Sequence, residues 1–315
     1  MYDKLNLWIN KEDMAGAFSA IPNLLTRAKE QTDRDTGEIR VFGCLDGLKV
    51  SIFYGGVSIK GSLSKFYYPN TVYPLDRCTT KQAIDKLSDA LHFDMSKANV
   101  TGLEFGTVLL LSHPVSEYLG YLGTMPYPFK RYHFELGTLY YRTGSKEQPV
   151  TYAFYDKILE ARKSGLSIPT GFESQNLLKY EIRFNRRLPK QLNVSEVKAS
   201  TLTDKDFYKM LLENWKESYF QIDRQMKIKT DIMCEVQTVS DAYNVFVARL
   251  IAETNKDVVA DFLDELKGGK VFKNRSDYNR LKNKIRDVSN KAGVAVSDEL
   301  VRELDDAVKN AAAFG

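Results

Sequence analysis

Over the first two hundred residues, short runs of alternating apolar and polar positions are separated by turn residues. Leu5, Leu7 and Ile9, in step with Asp3, alternate with Lys4, Asn6 and Trp8, the two-residue period of a half-buried strand. Residues 40–45 and 48–54 flank Asp46-Gly47, the dipeptide that suits a tight hairpin, and residues 57–63 add a further strand. Residues 15–31, interrupted by Pro22, fit either a short helix or a loop with an apolar anchor. Residues 67–73 read as an aromatic loop ended by Pro74. Thr79 or Thr80 caps a predicted helix running to His92, with Ala83, Ile84, Leu87 and Leu91 on its inner face. A strand follows over 100–111, then an irregular passage from Pro114 to Pro128. Strands are expected near 131–136, 138–142, 150–155 and 177–184, with a short helix over 156–163 stopped by Gly165.

After about Leu192 the period lengthens to that of helices, predicted over 207–220, 231–254, 257–267, 276–292 and 297–313. Ser276 and Ser297 suit N-cap positions. The pattern predicts an α+β protein: an antiparallel-sheet domain over residues 1–195, then a helical, basic C-terminal region over 196–315. No internal repeat is visible.

Charge sharpens this division. The net charge is only +4, but residues 267–291 hold nine basic residues against two acids, so that segment carries +7 and the remainder −3. Such a concentration suits either a solvated helix surface or a polyanion, whose contacts release condensed counterions. Lys273, Arg275, Arg280, Lys284 and Arg286 are its candidate phosphate contacts. No apolar run approaches the ~18 residues of a membrane helix, so no membrane role is expected. The charged, alternating N-terminus does not read as a signal peptide. Cys44, Cys78 and Cys234 lack metal-ligand spacing and suit reduced core residues of a cytoplasmic protein.

Strand alternation places the candidate chemistry. His133 and Glu135 share a strand face two residues apart, either a pair for one divalent cation or an ordinary exposed face. Lys179, Glu181 and Arg183 share another, as an ion-pair ladder or a phosphate site containing an acid. Glu104 lies in an otherwise apolar strand between Gly102 and Gly106. Its carboxylate must be solvated, paired or metal-bound, because burying it alone costs several kcal/mol. Tyr155 stands at a strand end beside Asp156 and Lys157, a cation able to lower the phenol's pKa toward that of a nucleophile.

The order of YDKLNLWI, VTGLEFGTVLLL, GTLYYR, FYDKILEAR and LLKYEIRF over roughly residues 1–190 resembles the rolling-circle replication initiators of filamentous phages and related plasmids. In that family a Y-D/N-K-x-x-E pattern follows the catalytic strand, matched here by Tyr155, Asp156, Lys157 and Glu160. The resemblance implies a nickase-like domain in which Tyr155 attacks a phosphodiester to form a 5′-phosphotyrosine, with Lys157 beside it. It implies Mg2+ or Mn2+ on carboxylates, ranked Glu135, Glu104, Glu181, with His133 as a further ligand. Arg183, Arg186 and Arg187 would hold the strand. The implied partners are single-stranded or hairpin origin DNA and a host helicase, since no GxxxxGK[ST] loop is present, in a bacterial host cytoplasm. The paired-histidine motif of the wider superfamily is missing. A mobilisation relaxase and a non-catalytic DNA-binding regulator are the alternative readings.

Overall fold

A computed structural model describes the chain apart from residues 15, 69–71, 135–136, 144–149, 167, 225–237, 254–255, 270, 273, 292–297 and 315. The strands are β1 (Tyr2–Asn10), β2 (Thr26–Thr32), β3 (Ile39–Leu45), β4 (Leu48–Phe53), β5 (Gly56–Ser62), β6 (Asn99–Leu111), β7 (Phe129–Phe134), β8 (Thr138–Thr143), β9 (Val150–Asp156) and β10 (Asn176–Phe184). The helices are α1 (Ile21–Leu24), α2 (Leu63–Tyr67), α3 (Arg77–Leu91), α4 (Val115–Leu119), α5 (Lys157–Lys163), α6 (Leu188–Gln191), α7 (Lys205–Phe220), α8 (Val239–Glu253), α9 (Lys256–Gly268), α10 (Arg275–Lys291) and α11 (Asp298–Phe314). The protein is α+β, with one antiparallel sheet ordered β2-β3-β4-β5-β1-β6-β10-β9-β8-β7.

That order contains a duplication that the sequence does not reveal. Strands β1 to β5 form a meander whose last member returns beside its first, and β6 to β10 repeat the same path. Each five-strand set is followed by a short helix and then a long one: α2 and α3 after β5, α6 and α7 after β10. The two sets join through the antiparallel pair β1–β6.

Alternation then separates two sheet faces. One carries Leu5, Leu7, Ile9, Leu103, Phe105, Tyr180, Ile182 and Phe154, all buried. Here Tyr180 stacks between Phe154 (4.3 Å) and Trp215 of α7 (4.8 Å). Its hydroxyl donates to the Trp215 carbonyl at 2.9 Å, and the Trp215 indole donates to the Tyr180 carbonyl at 3.2 Å. Burying these large rings with their polar edges satisfied gives this layer its stability. The other face carries the charged positions, including Lys49, Lys60, Glu104, Glu181 and Arg183.

Several local expectations change. Residues 16–31 supply short helical turns and then the edge strand β2, whose seven residues are all exposed. Helix α3 starts at Arg77 because Asp76 caps it: the Asp76 carboxylate accepts from the Thr79 backbone N–H, and Thr79 Oγ1 accepts from Asp76 N–H. α10 includes Ser276 inside its first turn, while Ser297 and Cys234 lie outside the described residues. Cys44 and Cys78 are free thiols but not core residues: Cys44 is half-buried on the outward face of β3 and Cys78 is exposed in the first turn of α3.

The chain forms two compact units. The first comprises Met1–Leu119, Thr124–Ile222 and Asp305–Gly315, and the second Gly120–Gly123 with Asp223–Leu304. The sequence boundary at 195/196 therefore falls inside the first unit, because α7 supplies Trp215 to the sheet core. In the second unit the Tyr278 hydroxyl accepts from the Phe272 N–H and donates to the Leu266 carbonyl, tying α10 to the end of α9. No helix among the described residues is long and apolar enough to cross a membrane.

Candidate active site around Tyr155

The charged face of β9, β10, β6 and β1 gathers three carboxylates and three cations. Register sets the rows: Glu104 lies opposite Arg183, Gly106 opposite Glu181, and Lys179 opposite Tyr155. Gly106 is required where it stands, since a Cβ there would lie 2.1 Å from the Tyr180 carbonyl oxygen and 2.5 Å from the Glu181 Cα. The β1–β6 register shifts between the Tyr2–Phe105 and Leu5–Leu103 pairs, so Asp3 and Lys4 together oppose Glu104. This bulge turns Asp3 off the apolar face that simple alternation assigns to it. Asp3, Glu104 and Glu181 thereby present oxygens within 4.8 Å of one another.

The cations interleave with these acids. Arg183 places its guanidinium 2.6 Å from Glu181 Oε1 and 3.6 Å from Glu104 Oε1. Lys179, only 2% exposed, lies 3.5 Å from Asp3 Oδ2 and 4.0 Å from Glu181 Oε2. Lys4 reaches Glu104 at 3.0 Å from a side chain that is half exposed. Ser62 and Ser64, at the start of α2, donate to Asp3 Oδ1 at 2.7 and 3.0 Å. Tyr155 Oη donates to Glu181 Oε2 across a long 3.4 Å. Val72, Ile158 and Leu177, with Val108, Ile168 and Phe172, form an apolar cluster beside this end of the sheet.

Burial and neighbours set the protonation of the site. Burial pushes the Asp3 carboxyl up, but Lys179, Ser62 and Lys4 outweigh it and hold the group well below the usual carboxylate range. Glu104 moves the other way: burial and the adjacent Glu181 raise it against Lys4 and Arg183. Burial, then Glu181 and Asp3, push the Tyr155 phenol well above 10, with Arg183 opposing them. Burial disfavours the Arg183 cation, yet Glu181 and Glu104 more than compensate, so it stays charged.

Of the residues singled out from the sequence, Tyr155, Glu181, Glu104 and Arg183 meet here. β9 ends at Asp156, which caps α5 by accepting from the Leu159 N–H, and this places Lys157 in the first helical turn. Its ammonium binds Glu160 at 2.8 Å and lies 6.0 Å from the Tyr155 ring centroid, while Arg183 is the cation favouring the phenolate. Tyr152 points to the opposite, buried face, its hydroxyl accepting from Ser218 Oγ at 3.2 Å. Arg186 and Arg187 are exposed beyond the end of β10. Glu135 and Lys273 lie outside the described residues, as do the side chains of His133, Arg275 and Arg286. Arg280 and Lys284 are exposed on α10.

The acid cluster offers only hard oxygen donors, the set that Mg2+ or Mn2+ takes. Glu104 Oε2 is buried and accepts no hydrogen bond, with the Lys4 ammonium 3.0 Å away. Lys4 and Arg183 already neutralise these acids, so a divalent ion would have to displace the half-exposed Lys4 head from Glu104. In comparison with known proteins, no family model matches this chain and no curated protein is similar to it.

Proposed function

We propose that this protein is a site-specific DNA nicking-and-joining enzyme that starts rolling-circle replication, with Tyr155 as the nucleophile. The observation that carries the reading is the Tyr155 hydroxyl set on Glu181, within a cluster of three carboxylates and an arginine bound through two nitrogens to Glu181. Asp3, Glu104 and Glu181 are the residues that would hold Mg2+ or Mn2+, which supplies, when bound, positive charge for the scissile phosphate and the phenol.

The remaining chemistry belongs to the side chains. The phenol, held above its usual pKa, is a poor nucleophile until its proton leaves, and Glu181 is the acceptor within reach. An Oη–P bond forms as the P–O3′ bond breaks. The products are a 5′-phosphotyrosine and a 3′-oxygen that takes a proton from water. Joining reverses these steps. Arg183 neutralises charge on the phosphoryl oxygens, and its stacking 5.6 Å over the Tyr140 ring fixes its plane.

The test incubates the purified chain with Mg2+ or Mn2+ and single-stranded fragments of its own replicon, then maps covalent adducts by mass spectrometry. The expected result is a nucleotide on Tyr155, absent from Tyr155→Phe, which still binds the same DNA. An adduct on another tyrosine would overturn the site. DNA binding with no adduct would make the protein a regulator.

A further inference from the structure

We propose that the charged face of the first five-strand set is a docking surface for single-stranded DNA, feeding the strand toward Tyr155. The inference rests on the nickase reading for the class of nucleic acid and adds the surface that holds it. Lys49 of β4 and Lys60 of β5 are directly opposite in register. Like charges so placed repel, yet both are exposed, and neither forms an ion pair among the described residues. The sequences of β3, β4 and β5 contain no acidic residue at all. An anion between the two lysines removes the repulsion.

Aromatic rings stand beside this pair on the same face. Trp8 lies in step with Asn6, which pairs with Lys60, and Phe53 lies in step with Lys49. The Trp8 and Phe53 rings are 5.9 Å apart, and Phe42 of β3 is 6.4 Å from Phe53. All three are half-buried, an unusual arrangement for a sheet face whose neighbours are lysine, serine and asparagine. Rings offered next to cations are what stacked bases and their phosphates require.

The duplicated topology makes the comparison sharper. At the last two outward positions of the second set, Arg183 opposes Glu104 and Glu181 opposes Gly106, with Ala153 on its other side. At the corresponding places of the first set, Ser62 opposes Lys4 and Lys60 opposes Asn6, with Lys49 on its other side. Both acids of the second set, Glu104 and Glu181, are thus replaced by lysines in the first. One half gathers carboxylates around a nucleophile, and the other presents cations and rings to a polyanion. Three strand spacings, about 14 Å across the sheet, and four residues, about 13 Å along the strands, separate Lys60 from Glu181 on a continuous sheet.

Intrinsic fluorescence provides the test, because Trp215 is fully buried and Trp8 is the only other tryptophan. The full chain is titrated with oligothymidylate over a range of salt concentrations. Stacking is expected to quench Trp8, and Trp8→Ala to weaken binding about 5- to 150-fold. Lys49→Gln with Lys60→Gln, both at exposed positions, is expected to reduce the salt slope of log K by about 1.4. An unquenched Trp8 at saturation, or an unchanged slope in the double variant, would overturn the surface. Adduct formation on Tyr155 is scored separately: adducts with an unchanged slope remove this surface alone, and quenching without adducts removes only the nickase reading.

Discussion

Lys179 offers a decisive perturbation, because it is almost fully buried and lies between two acids. Replacing it by Met keeps most of the side-chain volume and removes the charge, so a cavity contributes little to the result. Asp3, Glu104 and Glu181 would then share 4.8 Å of space with only Arg183 and Lys4 to balance them. Breaking a buried pair on one side costs about 3–5 kcal/mol, and protonation of one acid would recover part of it. In chelator at pH 7.5, urea unfolding should therefore report a loss of about 3 kcal/mol. Removing the cation raises the folded-state pKa values of the acids. The deficit should accordingly be largest above the unfolded carboxylate range and shrink as pH falls toward about 4.

Divalent ions then separate a salt-bridge cluster from a cation site. The variant's excess negative charge should draw Mg2+ or Mn2+, and at a hundredfold excess over Kd the ion restores about 2.7 kcal/mol. The parent chain, with Lys179 in place, should gain less. A loss below about 1 kcal/mol in chelator would refute the buried network. Equal responses of the two chains to the ion would refute the site.

Three further outcomes are expected. Asp3→Asn should cost about 2 kcal/mol at pH 7, and the cost should shrink only as pH falls below the unfolded carboxylate pKa, vanishing below the depressed folded one; pH-resolved urea curves check this. Gly106→Ala should lower stability by about 1–3 kcal/mol and abolish adduct formation, since its methyl group forces β6 from β10 at Glu181, and a fully active variant would contradict this. Arg280→Glu with Lys284→Glu should weaken binding to duplex or hairpin DNA and reduce its salt slope by about 2, measured by anisotropy, whereas an unchanged slope would remove α10 from the interface.

The strands were legible where alternation is regular. The Asp46-Gly47 hairpin and the face shared by Lys179, Glu181 and Arg183 follow directly from a two-residue period. Asp3 was not legible for the same physical reason. In sequence it keeps step with Leu5, Leu7 and Ile9, and only the bulge opposite Glu104 reverses its side. The helix predicted over 156–163 forms with Asp156 as its cap, so strand alternation cannot be carried past Asp156 to orient Lys157. Edge strand β2 lacks an apolar face to announce it, being exposed at every position.

The repeated path of the sheet escaped the sequence because its two halves conserve geometry rather than chemistry. Each half needs alternation, a return strand beside its first strand, and a short then a long helix; none of these dictates residue identity on the outward face. That freedom lets Lys60 stand where the other half has Glu181. It also explains why the acid cluster forms at the seam. The bulge in β1 lends Asp3 and Lys4 from the first half to a site whose remaining members belong to the second. The second half expressed alone would lack Asp3, leaving Lys179 with Glu181 as its acidic partner. The candidate site is therefore a property of the joined sheet, and activity should not survive separation of the two halves.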